Sequence, residues 1–175
     1  MGGFFKYTPL IYAAIKGHFD IVKALIENIP RLNLNKGDKF SRSALLMACR
    51  NGHSNIVSLL IKHRASSEQP DTSGNTPLHH ASAYGWIECV KVLLKYGEVD
   101  PSADNAWKMS PITIALQKNH IAIVNELLST QDINVNSKDD DGRTLLSLAM
   151  SNINADSLEL IDNLLKQKNP AEVNS

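Results

Sequence analysis

The chain has 175 residues, 43% of them hydrophobic and 21% charged, with 18 basic and 18 acidic side chains and a formal net charge of zero. That length suits one domain with a sizeable core, and a balanced charge sets up no global field toward nucleic acid or a membrane surface. The longest apolar runs, such as Ile56 to Ile61, are too short to span a bilayer, and two cysteines are too few for a disulfide framework, which points to a reducing, intracellular compartment, cytoplasmic or nuclear.

The opening "MGGFFKYTPL" lacks the cationic start and long apolar stretch of a secretory signal. Lys6 stands where a myristoylation signal needs Ser or Thr. From Thr8 the chain becomes periodic. Thr8-Pro9-Leu10 is followed by Ala13, Gly17, Val22 and Leu25-Ile26. The same spacing returns as Ser43-Ala44-Leu45, Ala48, Gly52, Val57, Leu60-Ile61, and then as Thr76-Pro77-Leu78, Ala81, Gly85, Val90, Leu93-Leu94. A fourth copy reads Ser110-Pro111-Ile112, Ala115, Asn119, Val124, Leu127-Leu128, and a looser fifth has Thr144-Leu145-Leu146, Ala149 and Leu164-Leu165. The anchoring alanines are separated by 35, 33, 34 and 34 residues, a fixed period that marks a repeat architecture.

Each copy predicts two short helices. Thr or Ser is a good N-cap, and Pro beside it suits the first turn. Leu and Ala at three-residue spacing form one apolar stripe, and the Gly that follows ends the helix in a left-handed conformation. A second apolar helix comes next, then about fifteen residues rich in Asn, Asp, Gly and Ser that turn the chain toward the next cap. One such unit cannot bury both apolar faces, whereas stacked neighbours can.

This pattern resembles the ankyrin repeat, most closely in the third copy, "DTSGNTPLHHASAYGWIECVKVLL" (Asp71 to Leu94). The resemblance implies an all-α solenoid of stacked helix-turn-helix units, with hairpin or loop fingers along one side. The expected repeats are residues 4–36, 37–70, 71–103, 104–138 and 139–168, with a disordered tail at 169–175. The first copy begins at Phe4-Phe5 without most of its finger, so it is either an N-terminal cap or the edge of a larger array. Ser41 and Lys108 replace the turn glycine of the second and fourth fingers, so Phe40 and Trp107 either contact a partner or pack on a distorted finger. The fifth copy carries extra residues around Asn152 to Asp156 and polar residues along its last helix (Asp156, Glu159, Asp162, Asn163, Lys166). It reads as the C-terminal cap.

The histidines are the first candidates for chemistry. His79 and His80 project about 100° apart on a helix and share no metal easily; Ala83 and Tyr84 stand where a second zinc ligand belongs. The resemblance implies instead that the His79 ring bonds finger backbone of its own or a neighbouring repeat. It places His18, His53 and His120 in a common family slot after the inter-helix turn. Trp86 fills that slot in the third copy. Cys49 and Cys89 read as small buried hydrophobes. Asp139-Asp140-Asp141 lacks the ligand spacing of a calcium loop and reads as a solvated hairpin tip. No nucleotide, nucleophile-elbow or CxxC motif is present, so no catalytic residue, cofactor or metal is expected.

Ankyrin arrays mostly bind proteins through the finger tips and the exposed side of the first helices. Those slots hold Phe4, Phe5, Tyr7, Phe40, Tyr84 and Trp107 together with Lys16, Lys39, Arg42, Arg50 and Lys118, and no acid. The sharpest candidates are Phe40, Arg42, Arg50, Asn75, Tyr84, Trp107, Met109 and Lys118. Aromatic and arginine side chains dominate interface energetics, and Arg42 and Arg50 can each grip a carboxylate or phosphate with two bonds. The expectation is a monomeric, non-catalytic interaction module for a protein or peptide with acidic and apolar residues, whether alone or as the targeting part of a larger protein. The alternative is single-stranded nucleic acid, since aromatics interleaved with cations can stack bases.

Overall fold

The computed structural model describes residues 7–130, 136, 138–151, 160–162, 164 and 165. Four helix pairs follow in order: α1 (Pro9–Lys16) with α2 (Phe19–Asn28), α3 (Ala44–Asn51) with α4 (Ser54–Lys62), α5 (Pro77–Ala83) with α6 (Ile87–Tyr96), and α7 (Pro111–Gln117) with α8 (Ile121–Leu128). A further first helix, α9 (Leu145–Ser151), comes after them, and residues 160–162, 164 and 165 are helical. The first helices pack in the series α1, α3, α5, α7, α9 and the second helices in the series α2, α4, α6, α8. Among the described residues there is no strand, only a single antiparallel bridge between Lys138 and Thr144. The all-α solenoid of stacked helix pairs therefore holds.

Local chemistry sets the helix boundaries. The Thr8 hydroxyl accepts the Ile11 N–H at 3.2 Å, and the Ser43 hydroxyl accepts the Leu46 N–H at 3.2 Å, each satisfying an N–H that the helix leaves free. Gly17, Gly52 and Gly85 then turn the chain with φ of 71°, 79° and 78°, and Asn119 does the same at 59°.

The core is a set of columns running through the stack. Leu10, Leu45, Leu78, Ile112 and Leu145 are buried, as are Ala13, Ala48, Ala81, Ala115 and Ala149. Val22, Val57, Val90 and Val124 line the second-helix side with Leu60, Leu93 and Leu127. Each buried Leu or Val contributes about 2 kcal/mol of burial free energy, and each column is shared between neighbours, so stability accrues along the stack. Cys49 and Cys89 are free and buried within this core. Burial pushes both thiols up, Cys89 to about 12.

The fingers keep one geometry whether or not glycine is present. Ser41 and Lys108 adopt φ of 60° and 51°, beside 77° at Gly74 and 74° at Gly142. The same turn bond closes each finger: Ser41 N–H to Asp38 O, Gly74 to Asp71, Lys108 to Asn105 and Gly142 to Asp139. A distorted finger under Phe40 or Trp107 is therefore not found. The left-handed strain of Ser41 and Lys108 is held by the bonds around it. Phe4, Phe5, the insert at Asn152 to Asp156, most polar positions of the last helix and the tail lie outside the described residues.

Candidate partner-binding face

The finger side is built from one recurring carboxylate or carboxamide. Asp38 Oδ1 accepts the N–H groups of Phe40 (2.8 Å) and Arg42 (3.0 Å). Asp71 Oδ1 accepts those of Ser73 and Asn75, Asn105 Oδ1 those of Trp107 and Met109, and Asp139 Oδ1 those of Asp141 and Arg143. Each side chain replaces the bonds that a tight turn leaves open, as Asp and Asn do in Asx turns. Neighbouring fingers are then tied through the backbone, Thr72 N–H to Phe40 O at 3.0 Å and Ala106 N–H to Ser73 O at 3.1 Å. Phe40 and Trp107 are thus presented by a rigid ladder.

Arg42 completes its own finger. Its Nε and Nη2 both donate to Asp38 Oδ2, at 2.9 and 2.6 Å, and the guanidinium also lies 4.7 Å from the Phe40 ring centre. Burial alone would raise the Asp38 pKa, but the Arg42 side chain and the backbone N–H groups of Arg42 and Phe40 outweigh it and hold the carboxyl below its usual value. The two-bond grip expected of Arg42 toward a partner is spent inside the protein. Lys39 Nζ covers the Phe40 ring at 4.8 Å.

Arg50 is placed differently. Its guanidinium lies 5.2 Å over the ring of Tyr84 from the next first helix, and among the described residues no carboxylate pairs with it. Tyr84 in turn stacks on His80 with 6.4 Å between ring centres, and His80 Nε2 donates to Asp71 Oδ2 at 2.9 Å. The finger carboxylate, a buried imidazole, an exposed phenol and a guanidinium therefore form one continuous stack. Desolvation lowers the His80 pKa against the opposing pull of Asp71.

Asn75 and Met109 carry much of the internal linkage. Asn75 Oδ1 accepts from Asn105 Nδ2 at 2.9 Å, joining two fingers. The Met109 carbonyl accepts from His79 Nε2 at 3.0 Å, while His79 Nδ1 accepts the Thr76 N–H at 3.2 Å. These bonds fix the tautomer with the proton on Nε2, and burial pushes the His79 pKa down to about 4. His79 bonds the neighbouring finger, one of the two partners that the family pattern implied.

Trp107 is half exposed and, with Met109, walls a groove of about 380 Å³ whose other lining is Asp139, Asp140, Asp141 and Arg143. Asp139 is the buried finger carboxylate, whereas Asp140 and Asp141 are exposed at the tip and pair with Lys108 (3.7 Å) and Arg143 (2.6 Å). Lys118 stands exposed at the end of α7. Of the eight candidates, the structure joins Phe40 with Arg42, Arg50 with Tyr84, and Trp107 with Met109. The acid-free surface expected from the sequence slots acquires an acidic border here, because the tip of the last finger folds against Trp107. Sequence reasoning also missed Asp38, Asp71 and His80. The recurring Asp or Asn three residues before the turn position was the available signal.

Among the described residues no cluster of His, Cys, Asp and Glu is arranged to hold a metal, and no helix is long and apolar enough to cross a membrane. A family model described as ankyrin repeats in three copies matches residues 10–105 and 97–175. The chain is 34% identical over 150 residues to a poly [ADP-ribose] polymerase tankyrase of Caenorhabditis elegans, covering 83% of this chain and 6% of that protein. It is 35% identical over 114 residues to the target of rapamycin complex 2 subunit AVO2 of Saccharomyces cerevisiae, covering 63% and 26%. It is 31% identical over 148 residues to human inversin, covering 83% and 13%. The chain therefore spans between 6% and 26% of the length of these relatives.

Proposed function

The chain belongs to the ankyrin-repeat family of protein-interaction modules, and from that premise we propose that it binds an acidic protein segment with apolar anchors along its finger side, between the second and fourth fingers. The observation that carries this reading is Arg50, held 5.2 Å over the Tyr84 ring with no carboxylate paired to it among the described residues. A cation fixed on an aromatic face keeps its N–H edge free for an incoming carboxylate and loses little freedom on binding. Phe40 and Trp107 supply apolar anchor surfaces, and Lys118 adds positive charge. Arg42 and Asn75 act by building the fingers. In this reading the chain is a monomer inside the cell. It performs no reaction itself, and any catalysis belongs to other parts of a longer protein whose placement it directs.

The test is selection of peptides from a random display library by the wild-type chain and by an Arg50→Glu, Trp107→Ala double variant shown to melt like it. The wild type should enrich peptides carrying Asp or Glu beside apolar residues, and the double variant should lose them. If both select the same peptides, binding lies elsewhere. Capture of single-stranded oligonucleotides with a steep loss in salt would instead favour the nucleic-acid alternative, against which the zero net charge and the acidic fifth tip weigh.

A further inference from the structure

The third finger differs from the second and fifth in one slot. Arg42 and Arg143 each donate to the outer oxygen of their finger carboxylate, Asp38 Oδ2 and Asp139 Oδ2. The same slot in the third finger holds Asn75, which reaches Asp71 only at Oδ1, 3.4 Å away. Asp71 Oδ2 is thereby left for His80, whose Nε2 donates to it at 2.9 Å. The His80 slot is Met47, Ile114 and Leu148 in the second, fourth and fifth copies, all buried. Those side chains fill the space but offer no proton to a carboxylate. The imidazole fills it and holds the finger as well.

The third repeat seats Arg50 at both ends. Trp86 Nε1 donates to the Arg50 carbonyl at 3.0 Å, which fixes its backbone. The guanidinium lies over the Tyr84 ring, and Tyr84 is stacked on His80 with 13° between the ring planes. Tyr84 is exposed and His80 buried, so the support under the phenol is the imidazole. That ring is held in turn, because Asp71 Oδ1 accepts the Ser73 and Asn75 N–H groups while Oδ2 accepts from His80. Burial lowers the His80 pKa, and the charges of Arg50 and Arg42 add to it, against the pull of Asp71. The imidazole is therefore neutral at pH 7 and does not repel the cation above it. Among the described residues no other first helix lays an arginine over an aromatic ring of the next.

We propose, on the reading that Arg50 receives a partner carboxylate, that His80 is the positioning residue of that site. Tied to the third finger through Asp71, it sets the Tyr84 ring and, through that ring, the guanidinium. The third finger thus fixes where the carboxylate lands, and a partner that shifts Ser73 or Asn75 at the finger tip moves Arg50 with them.

The test is NMR of the full chain, with glutarate as the carboxylate probe. In the wild type the Arg50 Hδ protons should carry an upfield ring-current shift, which Tyr84→Leu identifies by removing it. His80→Phe keeps a ring beneath Tyr84 but cannot bond Asp71, and His80→Met copies the second repeat. Both should lose most of the shift and bind glutarate at Arg50 about fivefold more weakly. Asn75→Arg leaves His80 in place and copies the Arg42 arrangement. It should draw Asp71 Oδ2 away and reduce the shift in the same way, and it decides the matter where the His80 variants do not fold. A shift that survives in folded His80→Phe or in Asn75→Arg reduces His80 to packing and overturns the proposal. Loss of the shift in these variants, in a chain whose wild type takes no glutarate at Arg50, supports the positioning role and overturns the acidic-partner reading instead.

Discussion

The imidazole of His53 lies across Gly17, so close that a Cβ there would stand 2.6 Å from its Cε1. The same ring donates to the Ile15 carbonyl. One residue's missing side chain is thus the seat of a ring from the next repeat, and Gly52 with Trp86 and Gly85 with His120 repeat the arrangement.

Gly17→Ala should therefore cost about 2 kcal/mol or more, combining left-handed strain with displacement of the ring. Gly142→Ala is the control. Its φ of 74° matches, but nothing lies within 4 Å of the added Cβ, so it should cost only about 1 kcal/mol. Urea unfolding of the two variants measures the difference, and equal losses would show that the ring contact carries no weight.

Acid should weaken the stack in two stages. The buried His79 has its pKa lowered from 6.5 to about 4. The unfolded chain therefore takes up a proton below 6.5 that the folded chain declines until about 4. Stability from this group is complete above pH 6.5 and falls as pH drops through that window, by on the order of 3 kcal/mol. His80, also lowered, adds in the same direction. Asp38 and Asp71 are held below their usual 3.8 by their finger bonds, so their contribution disappears only at still lower pH. Unfolding midpoints from pH 7.5 to 4 should slope downward in the wild type and flatten in His79→Asn.

Two arginines on the same side should behave oppositely. Arg42→Ala leaves the buried Asp38 carboxylate without its main partner and should cost about 2 kcal/mol of stability. Arg50→Ala, which breaks no ion pair, should change stability by no more than about 0.5 kcal/mol. It should weaken a selected acidic peptide about tenfold, as loss of an interface arginine does. Melting and fluorescence titration of both variants separate the roles.

Ser82 is fully buried in α5, and its hydroxyl has no hydrogen-bond partner among the described residues. Ser82→Ala removes an unsatisfied group and adds a better helix former, so it should raise stability by about 1 kcal/mol. A lower unfolding midpoint would show that the hydroxyl is satisfied in solution.

The two thiols should be silent. Buried and shifted upward, Cys49 and Cys89 should not react with a thiol-specific dye in the native chain at pH 8, and both should react in urea. Native labelling at either position would mean that the stack opens locally.

The repeat is legible in the order of residues alone. Period, cap residues, the alanine column and the inter-helix glycines are local features, because a helix boundary or an apolar stripe depends on residues within a few positions. They set the fold class, and the family resemblance they carry implied the structural duty of His53, His79 and His120. How the polar side chains are used depends on contacts between fingers and between repeats. Whether Arg42 faces a partner depends on the Asp38 carboxylate that folds onto it. Whether Arg50 stays unpaired depends on Tyr84, a repeat away. Whether Trp107 lies in a basic or an acidic setting depends on the finger that follows. Ser41 and Lys108 take a glycine's conformation because bonds from Asp38 and Asn105 hold the turn, and no rule of local preference reveals that.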